Sequence, residues 1–127
     1  MKNDQPLTDK PTALELHRMA MEEVGKRLQA AGFEFLAVNS DLKKDPQFVC
    51  TKDKQLYFIV VKGCAYPEHP KKYDLSRMEK VKAHAVEHQA VLRYAGVGFA
   101  HARDYEIPLT KNEAYVVNYD GLQPVLI

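Results

Sequence analysis

The chain has 127 residues, 46% of them hydrophobic and 28% charged, with a formal net charge of +1. Such values fit one globular domain and argue against disorder. No apolar run is long enough to span a bilayer, and the polar start, Met1 to Lys10, lacks a signal-peptide core. The expected location is therefore cytoplasmic, with no membrane partner.

Residues 1–11 read as a polar, flexible tail containing Pro6 and Pro11, followed by one domain over residues 12–127. A helix should start at Thr12, because Thr12 and Glu15 have the spacing of a capping box. Leu16, Ala20, Val24 and Leu28 recur every four residues and form one apolar stripe, and Gly32 suits the left-handed position that ends a helix. Phe33 to Val38 alternates as a strand does, and Gln47 to Thr51 reads as a short second strand. The turn Lys52-Asp53-Lys54-Gln55 should form a hairpin into Leu56–Val61. That run is apolar on both faces, so it belongs in the centre of its sheet.

Gly63 to Tyr73 is a loop with Pro67 and Pro70. A second helix should begin near Ser76, where Ser76 and Glu79 repeat the capping-box spacing. Met78, Val81, Ala85 and Leu92 supply its stripe and Gly96 its stop. Val97 to Ala102 and Ala114 to Tyr119 complete the strands, and Asp120-Gly121 signals a turn. The resulting order, α-β-β-β-α-β with a further β, predicts an α/β (α+β) fold with a mixed central sheet: hairpins are antiparallel and a strand–helix–strand crossover is parallel. Cys50 and Cys64 read as small buried apolar residues of a reducing compartment.

Charge is unevenly distributed. Residues 43–82 hold ten Lys or Arg against five Asp or Glu, a net +5. Clustering of this kind can serve nucleic-acid binding, or simply form a solvated face.

The element order, with Ala30-Ala31-Gly32-Phe33, Phe35-Leu36-Ala37-Val38-Asn39, Pro46-Gln47-Phe48-Val49-Cys50 and Leu56–Lys62, resembles the PD-(D/E)XK nuclease superfamily. The likeness is closest to its small Holliday-junction-resolvase-like branch. It implies a restriction-endonuclease-like core. In such nucleases a strand Asp and the Glu of a Glu-x-Lys strand bind a divalent metal that activates water, and the Lys stabilises charge. Carried over residue by residue, the Asp position falls on Gln47, the Glu position on Val60, and only Lys62 matches. A first-helix acid would fall near Met21, beside Glu22 and Glu23. Hard ions such as Mg²⁺ need anionic oxygens, which neither Val60 nor Gln47 offers. Asp45 is the nearest substitute.

His84-Ala85-Val86-Glu87-His88 carries the letters of the inverted zincins. On a helix, His84 and His88 lie one turn apart and could share Zn²⁺. The expected reading is nevertheless a half-exposed helix flank, with the zinc site as the alternative. No phosphate-binding glycine loop occurs, and Ser40 and Ser76 occupy turn or capping positions. The loop around Tyr66, His69 and Lys71 should open beside Lys62, either to contact a ligand or as a proline-stiffened connector whose tyrosines pack over the sheet edge, with Arg77 and Lys80 bordering the same mouth. The expected pocket is therefore Asp45, Gln47, Val60, Tyr66, His69, Arg77 and Lys80.

The resemblance, with its acids missing, implies a nuclease-like domain without catalysis and without a cofactor, acting in binding or assembly. One alternative is a divergent DNA nuclease using Mg²⁺, Asp45, Glu22 or Glu23, and Lys62. Another is a nucleic-acid-binding module built on residues 43–82. A homo-oligomer formed through Tyr115–Tyr119 and Val125-Leu126-Ile127 is a further expectation.

Overall fold

The computed structural model describes residues 10–126; residues 1–9 of the expected tail over residues 1–11, and Ile127, lie outside the described residues. Thr12 caps the first helix, α1 (Ala13–Ala30). Its hydroxyl accepts from the Glu15 amide at 3.1 Å, and the Glu15 carboxylate accepts from the Thr12 amide at 2.8 Å. The reciprocal box satisfies two amide protons that have no partner inside the helix. Ala20, Val24 and Leu28 are buried as the stripe requires, and Leu16 is half-buried. Gly32 follows the helix with φ of +89°.

β1 (Glu34–Val38) pairs antiparallel with β2 (Phe48–Lys52), and β2 with β3 (Gln55–Ala65). The β2–β3 loop is Asp53-Lys54, with φ of 52° and 67°. Two consecutive positive φ values match the twist of the flanking strands, as in a type I′ hairpin. β3 runs two turns of the pleat past Val61, because Gly63 to Ala65 stay paired with the neighbouring strand. After α2 (Leu75–Glu87) the chain returns as β4 (Val91–His101), parallel to β3. β5 (Tyr115–Asn118) and the short β6 (Gln123–Pro124) both pair antiparallel with β4. The fold is thus a mixed six-stranded sheet, ordered β1-β2-β3-β4-β5 with β6 also on β4, and two helices.

The second helix begins near Ser76 as expected, at Leu75, but its cap and its end differ. Its N-cap is Asp74, whose carboxylate accepts from the Arg77 amide at 3.2 Å, so no Ser76–Glu79 box forms. It stops at Glu87, and Gln89 takes φ of 54°, the reversal that the sequence assigned to Gly96. Leu92 and Gly96 belong to β4. Leu92 lies seven positions after Ala85, a helical spacing that disguised a strand rich in β-branched and aromatic residues. Gly96 answers to a close approach: a Cβ there would lie 1.9 Å from the Pro70 carbonyl oxygen. Gly63 plays the same part on β3, where a Cβ would lie 2.3 Å from the Leu16 carbonyl oxygen.

Two apolar clusters cover the sheet. Ile59, Val61, Val97 and Phe99 pack toward α1, and Phe58, Val60, Leu92 and Tyr94 toward α2. β3 is therefore covered on both faces, as its composition predicts. Cys50 and Cys64 are free and buried, and burial pushes both thiols up to about 11. The edges contrast with this centre. Every residue of β1 and of β5 is exposed. The apolar end is only partly free: Val125 is buried in the α2-side cluster, whereas Leu126 is 80% exposed. Among the described residues no helix is long and apolar enough to cross a membrane.

Candidate functional site

The segment before β2 is built from local side-chain turns. The Asn39 side chain accepts from the Asp41 amide at 3.0 Å, and the Asp41 carboxylate from the Lys43 amide at 2.9 Å. Such Asx turns fold a short polar stretch without a sheet partner. They bring Asp45 against the first turn of α2. There Arg77 donates from Nε and Nη2 to the two carboxylate oxygens, at 2.6 and 2.5 Å. This two-point fork fixes orientation as well as charge.

Gln47 completes the arrangement from below. It is fully buried. Its amide nitrogen donates to Asp45 Oδ1 at 2.8 Å and to the Lys44 carbonyl at 3.0 Å, and its Oε1 accepts from the Val61 amide at 2.7 Å. Both donors and the carbonyl are thereby engaged. For Asp45, burial is the largest influence and would raise its pKa. The hydrogen bonds from Arg77 and Gln47 outweigh it, holding the carboxyl below 3.8.

His17, on α1, is a member of this neighbourhood that the sequence reading missed. It is fully buried, and neither ring nitrogen has a hydrogen-bond partner. Burial, reinforced by the Arg77 charge, pulls its pKa below 6.5 against the Ser40 backbone and the Asp45 and Asp41 carboxylates. The imidazole is therefore neutral near pH 7. Its signal was its place one turn before buried Met21, on the flank of the apolar stripe.

Above the Asp45–Arg77 fork lies an open cleft of about 680 Å³, whose walls include Leu42, Lys43, Asp74, Lys80 and His84. The expected single pocket does not form. Asp45, Arg77 and Lys80 do line this cleft, but Gln47 is buried beneath it. Val60 is fully buried in the α2-side core with Phe58, Met78 and Val81, because alternation along β3 turns it under the helix. Lys62 and His69 share a separate cavity of about 240 Å³, divided from the cleft by Asp74. Lys62 has a carboxylate partner, Glu68, at 2.9 Å. Tyr66 is exposed elsewhere, donating to Glu106 at 3.3 Å and packing on Tyr105. Glu22 and Glu23 are engaged along α1 with Lys26 and Arg27, and Met21 is buried in the core.

The basic segment also divides. Lys52 ends β2, over the Phe33 ring at 5.2 Å, and Lys54 lies in the hairpin loop. Lys62 lies eight positions after Lys54 along β3, roughly 26 Å at strand spacing. Lys62, Lys71 and Arg77 are paired with Glu68, Asp120 and Asp45. Lys43 and Lys80 carry the cationic character of the cleft.

At the far end of α2, His84, Glu87 and His88 are exposed, and one ligand atom from each lies within 4.8 Å of the others.

No curated protein and no solved structure matches the chain. The profile of a family described as Domain of unknown function (DUF8840) matches residues 14–125, from the first turn of α1 to the strand that closes the sheet. The chain belongs to that family.

Proposed function

We propose that this domain is a nuclease-like scaffold that binds an anionic partner of the phosphodiester type and does not hydrolyse it. The observation that carries the reading is the state of Asp45. Both its oxygens accept from Arg77, and one also accepts from Gln47. A Mg²⁺ ion would have to displace a guanidinium to reach them, and the second acid of a two-carboxylate site has Val60 in its position. The α-β-β-β-α-β order and the parallel β3–β4 pair support the restriction-endonuclease-like comparison. Lys43, Lys80 and the outer edge of Arg77 support the choice of an anion in the cleft.

Two measurements test this reading. Branched, single-stranded and duplex DNA incubated with Mg²⁺ or Mn²⁺ should remain intact; cleavage that disappears in Lys62→Ala would overturn it. Binding of the same DNAs should weaken as salt rises, because phosphate contacts release counterions. Lys43→Ala/Lys80→Ala should then lower the salt slope by about two. An absence of affinity for any nucleic acid at low salt ends the phosphodiester assignment.

A further inference from the structure

We infer that His84, Glu87 and His88 form a binding site for one transition-metal dication of the Zn²⁺ class. The inference is independent of the proposed function, since none of its three ligands takes part in the Asp45–Arg77 fork. His84 and His88 are four residues apart, so their side chains leave the same face of the helix. Glu87 adds an oxygen, and the three ligand atoms already lie within 4.8 Å of one another. Tetrahedral coordination at Zn–N distances of 2.0–2.1 Å needs donors roughly 3.3 Å apart. The difference is within the reach of side-chain torsions, because all three residues are exposed.

Two further contacts favour this arrangement. Nδ1 of His88 lies 3.0 Å from the His84 carbonyl oxygen. When Nδ1 donates there, Nε2 keeps its lone pair for a metal, the usual division of labour in a ligating histidine. Both imidazoles also pack against Phe58, with ring centroids at 5.6 and 5.7 Å, and against each other at 4.6 Å. The aromatic floor restricts the rings, so less freedom is lost on binding. Among the described residues Glu87 has no ion-pair partner. Two imidazoles and one carboxylate suit Zn²⁺, Co²⁺, Ni²⁺ or Cu²⁺, and not Mg²⁺ or Ca²⁺. Three protein donors leave a coordination position open. His84 also lines the cleft.

The test uses the full chain without an affinity tag, titrated with Co²⁺ by visible absorption and with Zn²⁺ by calorimetry. One equivalent should bind, with Co²⁺ bands of four- or five-coordinate geometry. His84→Ala and His88→Ala should each lower affinity by more than about tenfold, Glu87→Gln by less, and His69→Ala should leave it unchanged. Zn²⁺ should shift the imidazole nitrogen resonances of His84 and His88 in the unaltered protein, a readout that needs no variant. Binding that survives His84→Ala/His88→Ala, or shifts confined to other histidines, would overturn the site.

Discussion

Helix α2 carries a polar group at each end. At its first turn, Arg77 is closed over Asp45 and Gln47, with side-chain exposures of only 28% for Arg77 and 12% for Asp45. At its last turn, His84, Glu87 and His88 face solvent. The residue types at both ends are those of metal and phosphate chemistry, and burial separates their roles. At the buried end Arg77, Asp45 and Gln47 take one another and the backbone as partners, since an unmade hydrogen bond there is costly. At the exposed end water satisfies the groups and a ligand can replace it. Letters that promise chemistry therefore say little until the partner of each atom is known.

Removing Arg77 should break the buried half of this contrast most severely. Arg77→Ala leaves a carboxylate with little water and no cation, and should cost about 2–4 kcal/mol in denaturant unfolding. Arg77→Lys should recover only part of that, because one ammonium cannot span both oxygens. A loss near zero in Arg77→Ala would mean that Asp45 is free to serve a ligand. Gln47→Leu comes next, at about 1–3 kcal/mol, since it leaves the Val61 amide without an acceptor.

Acidity sharpens the contrast more gently. His17 is held neutral in the folded chain, with its pKa below the unfolded value of 6.5. Below pH 6.5 the unfolded chain takes up a proton that the folded chain refuses, so stability should decline as pH falls. The decline should continue until the folded pKa is reached. His17→Leu should flatten that part of the profile; an unchanged slope would show that His17 takes up its proton in the fold. Asp45 acts in a lower window. Its depressed pKa contributes stability above 3.8 that is lost as pH falls through the folded value. The smallest effect belongs to Lys62, whose pair with the exposed Glu68 should be worth less than about 1 kcal/mol when Lys62→Ala is unfolded thermally.

Much of the scaffold was legible because its signals are local. The Thr12–Glu15 box, the Asp53-Lys54 hairpin and the two-sided apolar run of β3 each depend on residues within a few positions. The boundary between α2 and β4 was misread because Leu92 continues the helical spacing and Gly96 resembles a terminator. The true stop, Gln89 with positive φ, has no strong letter. The site was legible in part: Asp45, Arg77 and Lys80 were grouped and do share the cleft, but their partners were not foreseen. Asp45 and Arg77 are 32 positions apart, and only the folded loop brings them together. His17 went unnoticed because a histidine beside an apolar stripe looks like a surface residue until its neighbours are known.

The missing side chain at Gly63 has a consequence beyond close packing. A Cβ there would strike the Leu16 carbonyl oxygen at 2.3 Å and Ala20 at 2.9 Å. Those residues bracket His17 on α1. The distance between helix and sheet is thus gauged at one point, and the dryness of the polar group depends on that gauge. A single methyl at position 63 would act as a shim beneath α1, lifting His17 with its helix and letting water reach the imidazole.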